Sequence, residues 1–285
     1  MALQLILGNA GAGKSHYIFE KIIQESMEHP TKQYLIIVPE QFTMQTQKDL
    51  VSMHPRHGIM NIDVLSFARL AYRVFEETGT KQMQVLDDEG KNLILRKIAG
   101  DYENKLTVLK GNIKKLGYIS EVKSVISEFT QYDIGEEEMD EMLDHLDEDS
   151  RLYYKLKDIR LLYEGFQDYL RERYITKEEL LDVLNSQVKE SELLKNSVVV
   201  LDGFTGFTPV QNRLILELMR CCKEVWVTVT MDERENPYAY KHPYQLFGLS
   251  KQMVTTLVRM AGEDHIEVEE PVCLYGYPVK RFEKN

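Results

Sequence analysis

Along the first 80 residues, short apolar runs alternate with stretches whose apolar positions recur at helical spacing. "LQLILG" (3–8), "QYLIIVPE" (33–40) and "GIMNIDVLS" (58–66) have the length and the Ile/Val content of buried strands. "KSHYIFEKIIQESMEH" places Tyr17, Ile18, Lys21, Ile22 and Glu25 so that apolar residues line one helical face, and "SFARLAYRVFEETG" opens on Ser66 as an N-cap and closes on Gly79. Strand and helix alternate, which predicts a largely parallel sheet. From about 85 to 195 the strand signals vanish. Spacing there is helical, as at Ile119, Val122, Val125, Ile126 and Phe129, and "TKEELLDVL" carries the capping-box pair Thr176 and Glu179. Strands resume at "SVVVLDG" (197–203) and "EVWVTVTMD" (224–232), separated by a helix over "TPVQNRLILELMRCC". The pattern predicts an α/β chain: one sheet domain built from 1–84 and 196–285, interrupted by a helical insertion over 85–195.

Composition narrows the class. A hydrophobic content of 43% supports a full core, and the start "MALQLILGNAG" lacks a basic region before a run too short for a signal peptide. No apolar stretch approaches the roughly 18 residues of a membrane span, so a soluble, cytoplasmic chain is expected with no membrane partner. Cys221, Cys222 and Cys273 are odd in number and lack metal-ligand spacing, which fits a reducing compartment. The net charge of −11 is opposite to that of a protein that holds DNA by bulk charge. Residues 81–195 supply −8 of it, and 133–149 ("DIGEEEMDEMLDHLDED") holds ten acids and neither Lys nor Arg, which reads as a solvated acidic face or loop.

The chemistry is carried by "GNAGAGKS". Gly8, Asn9, Ala10, Gly11, Ala12, Gly13, Lys14 and Ser15 satisfy G-x-x-x-x-G-K-[ST] after a buried strand and at the start of a helix, the context that a phosphate loop requires. Glycines let backbone amides point inward with no Cβ in the way of phosphate oxygens. Lys14 is placed to neutralise the β- and γ-phosphates of ATP, Ser15 to ligate Mg²⁺, and the helix dipole adds positive potential. Asp202, which follows "VVVL", is the second expected Mg²⁺ ligand. Hydrolysis needs a group that orients the attacking water, and the next residue is Gly203. The residues therefore support nucleotide binding and not turnover. "EVK" at 121–123 has a nuclease-like order but lies in a helical pattern.

"LILGNAGAGKS", "LIIVPEQFTMQTQKDL", "DVLSFARLAYRVFEETG" and "VVVLDGFTGFTPVQ", in that order, resemble the AddB/RexB family, the B subunits of bacterial AddAB helicase-nucleases that resect DNA double-strand breaks. The resemblance covers nearly the whole chain and implies a P-loop NTPase fold of the superfamily 1 helicase type, with 1A and 1B-like parts. It also implies an AddA-like partner and a role in reading the Chi sequence in single-stranded DNA. Proteins of this family are several times longer and end in a nuclease domain with an iron-sulfur cluster. Active helicases of the superfamily read D-E-x-Q-D-x-x-x-x-Q in the second motif; here Asp202 and Gln211 keep the ends, while Gly203, Thr205 and Gly206 replace Glu, Gln and Asp. "TVTMDERENPY" lacks the pattern of a γ-phosphate sensor. The resemblance thus implies a binding site without its own motor activity.

Segments that active relatives use on DNA correspond to "PEQFTMQTQ" and "LSFARL", making Gln41, Phe42, Thr43, Ser66 and Arg69 candidate contacts. A core role for Phe42 and Phe67 and a capping role for Ser66 are equally open. Lys114 and Lys115, within eight basic residues over 91–123, form another candidate surface, with a solvated face as the competing reading. Two other functions use the same loop: an autonomous ATPase or small-molecule kinase, against which the acidic insertion counts because a phosphate clamp needs arginines, and an interaction module with a vestigial loop.

Overall fold

The computed structural model describes residues 2–79, 84–112, 115–171 and 174–275. In chain order the elements are β1 (Ala2–Gly8), α1 (Lys14–Glu28), β2 (Gln33–Ile37), α2 (Thr43–Met53), β3 (Ile62–Leu65), α3 (Phe67–Thr78), β4 (Gln84–Val85), α4 (Asp88–Asp101), α5 (Leu116–Gln131) and α6 (Glu136–Asp144). They continue with α7 (Arg151–Leu170), β5 (Tyr174–Ile175), α8 (Glu179–Gln187), α9 (Glu192–Lys195), β6 (Ser197–Leu201), α10 (Pro209–Cys221), β7 (Glu224–Thr230), α11 (Gly248–Glu263), β8 (Glu267–Val268) and β9 (Val272–Cys273). The chain is α/β and divides into two compact units. One comprises Met1–Thr80, Leu184–Phe207 and Gln211–Asn285; the other comprises Lys81–Val183 with Thr208–Val210.

The first unit is built on a parallel sheet in the order β3-β2-β6-β7-β1-β8, with β9 also beside β1. Its central strands are apolar on both faces because helices cover both sides, so β6 ("SVVVL") is buried at every position. α1 packs Ile18, Phe19, Ile22 and Ile23 into a core with Tyr34, Ile36, Val198, Val200 and Trp226. β2 stops at Ile37, short of the expected run to 40, since Pro39 has no N–H for a ladder and a turn of 3-10 helix follows over Glu40–Phe42. β3 begins only at Ile62; Met60 before it is almost wholly exposed. α3 starts and stops where its sequence indicates: the Ser66 hydroxyl accepts from the Arg69 amide at 3.4 Å, and Gly79 ends the helix in the left-handed region at φ 67°.

The edge beside β1 was not legible in the sequence. β8 pairs with Ala2 and Leu3, β9 with Ile6 and Leu7, and between them Pro271 cannot donate to the ladder. The Gln4 amide bridges that gap by donating to the Glu270 carbonyl at 2.6 Å.

The second unit packs α4, α5, α6 and α7 around Leu95, Ile98, Ile119, Val122, Ile126, Met139, Ile159, Leu162 and Phe166. The helical reading of 85–195 misses one feature: β4 and β5 pair in parallel, Gln84 with Tyr174 and Val85 with Ile175. Two-residue strands leave no alternation to detect. The Thr176–Glu179 capping box forms in both directions, at 2.7 and 3.2 Å. Among the described residues, no helix is long and apolar enough to cross a membrane.

Candidate functional site

β1 carries the chain to the carboxyl edge of the sheet at Gly8, and the next five residues turn it into α1. The Ala12 amide donates to the Asn9 carbonyl at 3.1 Å, which tightens the turn. Gly11 and Gly13 have φ of 80° and 84°, the left-handed region that side-chain-bearing residues avoid, and Gly13 is the N-cap of α1. At Gly8 the constraint is space: a Cβ there would lie 3.2 Å from the Leu274 carbonyl oxygen and 3.3 Å from Ala12 Cβ and Lys14 Cγ. The first amides of α1 have no partner within the helix, so its positive end opens onto the loop. Ala10 is exposed, and Ser15 stands half-buried in the first turn.

Lys14 Nζ donates to the carbonyls of Gly8 at 3.0 Å and Asn9 at 2.9 Å, folding the ammonium against the loop. Burial pushes its pKa down and the Asp202 carboxylate pushes it back up, with the result below the ordinary lysine value of 10.5. β7 lies between β1 and β6, and all three run the same way, so Asp202, just past the end of β6, reaches the same sheet edge as the loop. Asp202 is buried, and its amide donates to the Ile37 carbonyl at 3.0 Å.

Thr228, which the sequence reading did not single out, orients this carboxylate. It sits on β7 opposite Ile6; its hydroxyl donates to Asp202 Oδ1 at 2.7 Å and accepts from the Gly203 amide at 3.3 Å. The available signal was a hydroxyl in the middle of the buried run "VWVTV". Gly203 has φ 80°, while a Cβ there would meet nothing nearer than Pro39 Cδ at 3.7 Å. Room for a side chain exists; the backbone conformation is what disfavours one.

The remaining candidates separate by exposure. Gln41, Phe42 and Arg69 are exposed, with Phe42 at 50%. Thr43 and Ser66 are buried and serve their own helices: the Thr43 hydroxyl donates to the Glu40 carbonyl at 2.9 Å, and Ser66 caps α3. Phe67 is buried, its ring 5.5 Å from Phe204, which lies 5.2 Å from Phe207. In the second unit Lys115 is exposed and donates to Asn112 Oδ1 at 2.8 Å; Lys114 lies outside the described residues. Much of the basic stretch is engaged inside that unit. Lys91 is buried against Glu178 at 2.7 Å, Lys123 meets Asp88 at 3.2 Å, and Lys97 and Lys105 lie over the rings of Tyr169 and Tyr102. The three cysteines are free thiols, and burial pushes that of Cys222 up to about 12.

A family model described as "ADDB, N-terminal" matches residues 5–285. The chain is similar to the B subunit of the ATP-dependent helicase/deoxyribonuclease of Lachnoclostridium phytofermentans, 44% identical over 275 residues that make up 96% of this chain and 24% of the relative. The protein of the same name from Clostridium kluyveri is 35% identical over 285 residues, 100% of this chain and 25% of the relative. That from Alkaliphilus oremlandii is 33% identical over 302 residues, 99% and 26% respectively. The chain therefore spans about a quarter of the length of the curated relatives it matches.

Proposed function

The chain belongs to the ADDB N-terminal family, and from that premise we propose that it is the nucleotide-binding, helicase-like N-terminal portion of the B subunit of an ATP-dependent helicase/deoxyribonuclease. The observation that carries this reading is the convergence of Lys14, Ser15 and Asp202 on one edge of the sheet, with left-handed glycines at 11 and 13 leaving the loop backbone unobstructed. In this reading the sheet unit is a P-loop NTPase fold. Gly8 to Gly13 offer backbone amides to the phosphates of ATP, Lys14 supplies a positive charge, and Ser15 and Asp202 are the hard oxygen donors that Mg²⁺ prefers. Mg²⁺ would neutralise phosphate charge there.

Turnover is not part of the proposal. A hydrolytic site needs a group to orient water, and at Gly203 there is no side chain and a backbone that disfavours one. The role that fits is binding. The protein would hold nucleotide, join an AddA-like partner that supplies the motor, and contribute the exposed Gln41, Phe42 and Arg69 to a single-stranded DNA surface involved in Chi recognition. The sheet unit would then be the 1A-like part and the helical unit the 1B-like part.

The test is equilibrium binding of a labelled ATP analogue with Mg²⁺ to the chain and to Lys14→Ala. Wild type is expected to bind and the variant to lose binding by about a hundredfold or more, as expected when a charged hydrogen-bond partner worth about 3 kcal/mol is removed. The lowered Lys14 pKa adds a pH signature. Phosphate favours the charged lysine, so affinity is highest below that pKa and declines as pH rises through it, earlier than for an ordinary lysine; the variant lacks this decline. Equal affinity of the two proteins would overturn the proposal.

A further inference from the structure

The helical unit holds an open groove of about 770 Å³ between α5, α6 and α7. Its wall is apolar, formed by Val125 and Phe129 of α5, Ile134, Met142 of α6, and Leu152 and Leu156 of α7. Large side chains along it stand in water: Tyr132 is 57% exposed, Met142 40% and Leu152 58%. Large apolar side chains exposed side by side along a groove are a feature of interaction sites.

The rim is charged with one dominant sign. Asp133, Glu138 and Glu141 line the groove, and Lys155 is the single Lys or Arg among the lining residues. Arg160 takes up Glu136 and Asp140, and Glu138 accepts from the Gly135 amide at 2.8 Å. Glu141 is exposed on the rim. A small apolar ligand would be expected to find a few convergent polar groups that orient it. Here the His145 ring is already joined to the Glu141 carbonyl at 2.7 Å, and the charges lie along the border.

From the apolar wall and the acidic border we propose that this groove docks an amphipathic helix of another protein chain. The docked helix carries aliphatic residues at i, i+3 or i+4, and i+7 on one face and Lys or Arg on the flanks. An open, apolar-walled groove is the surface on which an amphipathic helix lays its apolar face. Its acidic rim selects among amphipathic helices by repelling acidic ones and accelerating the approach of basic ones.

The test uses the 285-residue chain and a dye-labelled synthetic peptide of about 18 residues, with Leu on one helical face and Lys on the other, read by fluorescence anisotropy. Two control peptides keep the length: one scatters the same Leu and Lys so that no face forms, the other replaces Lys by Glu. Two variants, Leu152→Asp and Glu141→Lys, alter surface positions on the wall and the rim. The basic amphipathic peptide is expected to bind, the controls at least about tenfold more weakly, and Leu152→Asp to lower affinity by about tenfold or more. Glu141→Lys is expected to weaken binding and to reduce its salt dependence. Equal binding of the scattered peptide, or unchanged affinity in both variants, would overturn the proposal. So would self-association of the chain that Leu152→Asp abolishes in sedimentation velocity, since the occupant would then be a second copy.

Discussion

Thr228 shows how one hydroxyl can set the geometry of a proposed metal ligand. Its donation to Asp202 Oδ1 and acceptance from the Gly203 amide fix the carboxylate and the turn after it together. A valine at 228 keeps the shape and removes both bonds. Thr228→Val is therefore expected to lower affinity for Mg-ATP by about tenfold, the equivalent of one buried hydrogen bond, while leaving affinity for ATP in EDTA nearly unchanged. Comparing the two affinities in one protein distinguishes this from a general loss of fold, and an equal fall in both would contradict a positioning role. Gly203 limits the site in another way. A left-handed backbone at φ 80° makes any side chain there cost about 1–2 kcal/mol, so a glutamate at 203 would enter strained as well as alone.

At the scale of elements, the long central strands and capped helices were legible because burial and periodicity agree. β1, β2, β6 and β7 are apolar runs, and Ser66, Gly79, Thr176 and Glu179 mark helix ends by local chemistry that tertiary structure did not override. Lys21, a polar position on the apolar face of α1, lies with its Nζ 3.9 Å from the centre of the Trp226 ring, a contact no periodicity reveals. The pieces β4, β5, β8 and β9 are two residues each and owe their pairing to neighbours distant in sequence. Likewise the glycine-rich loop is legible from residue spacing between a strand and a helix, whereas Thr228 depends on which strand lies between β1 and β6. Asp158 was invisible for the same reason: from α7 it accepts the amides of Thr107, Val108 and Leu109 at 2.7–3.0 Å.

The buried Lys91–Glu178 pair ties the helical unit together through a carboxylate whose charge depends on pH. Burial pushes the Glu178 pKa up, but the hydrogen bond and charge of Lys91 outweigh it, leaving the carboxyl below its ordinary 4.5. A depressed carboxyl stabilises the fold above the unfolded value and loses that contribution as pH falls through the folded one. Thermal unfolding of the helical unit is therefore expected to become acid-sensitive below about pH 4.5. Lys91→Met, which strands the carboxylate, is expected to cost about 3–5 kcal/mol at neutral pH, and the double variant Lys91→Met with Glu178→Leu to recover most of it. A single variant as stable as wild type would show that the pair contributes nothing.

For the whole molecule, a charge of −11 means that any DNA affinity has to come from local surfaces. The engaged lysines of 91–123 make the exposed Phe42, Gln41 and Arg69 the stronger candidates. Phe42→Ala is expected to weaken binding of a fluorescent single-stranded oligonucleotide by about 1–3 kcal/mol, the range of one base stacked on an aromatic ring, with affinity falling steeply as salt rises. Unchanged affinity would place the contact elsewhere.

The central claim is a nucleotide site suited to binding and not to hydrolysis, and it is tested most directly by the chemical fate of bound ATP. The measurement uses the full-length natural protein, paired with an AddA-like partner whose own phosphate loop is disabled. Radiolabelled ATP is bound with Mg²⁺ and single-stranded DNA, and the retained nucleotide is analysed over time. Nucleotide retained in a Lys14-dependent manner and recovered as intact triphosphate is the expected result. Lys14-dependent conversion to diphosphate, or no retention at all, would contradict it.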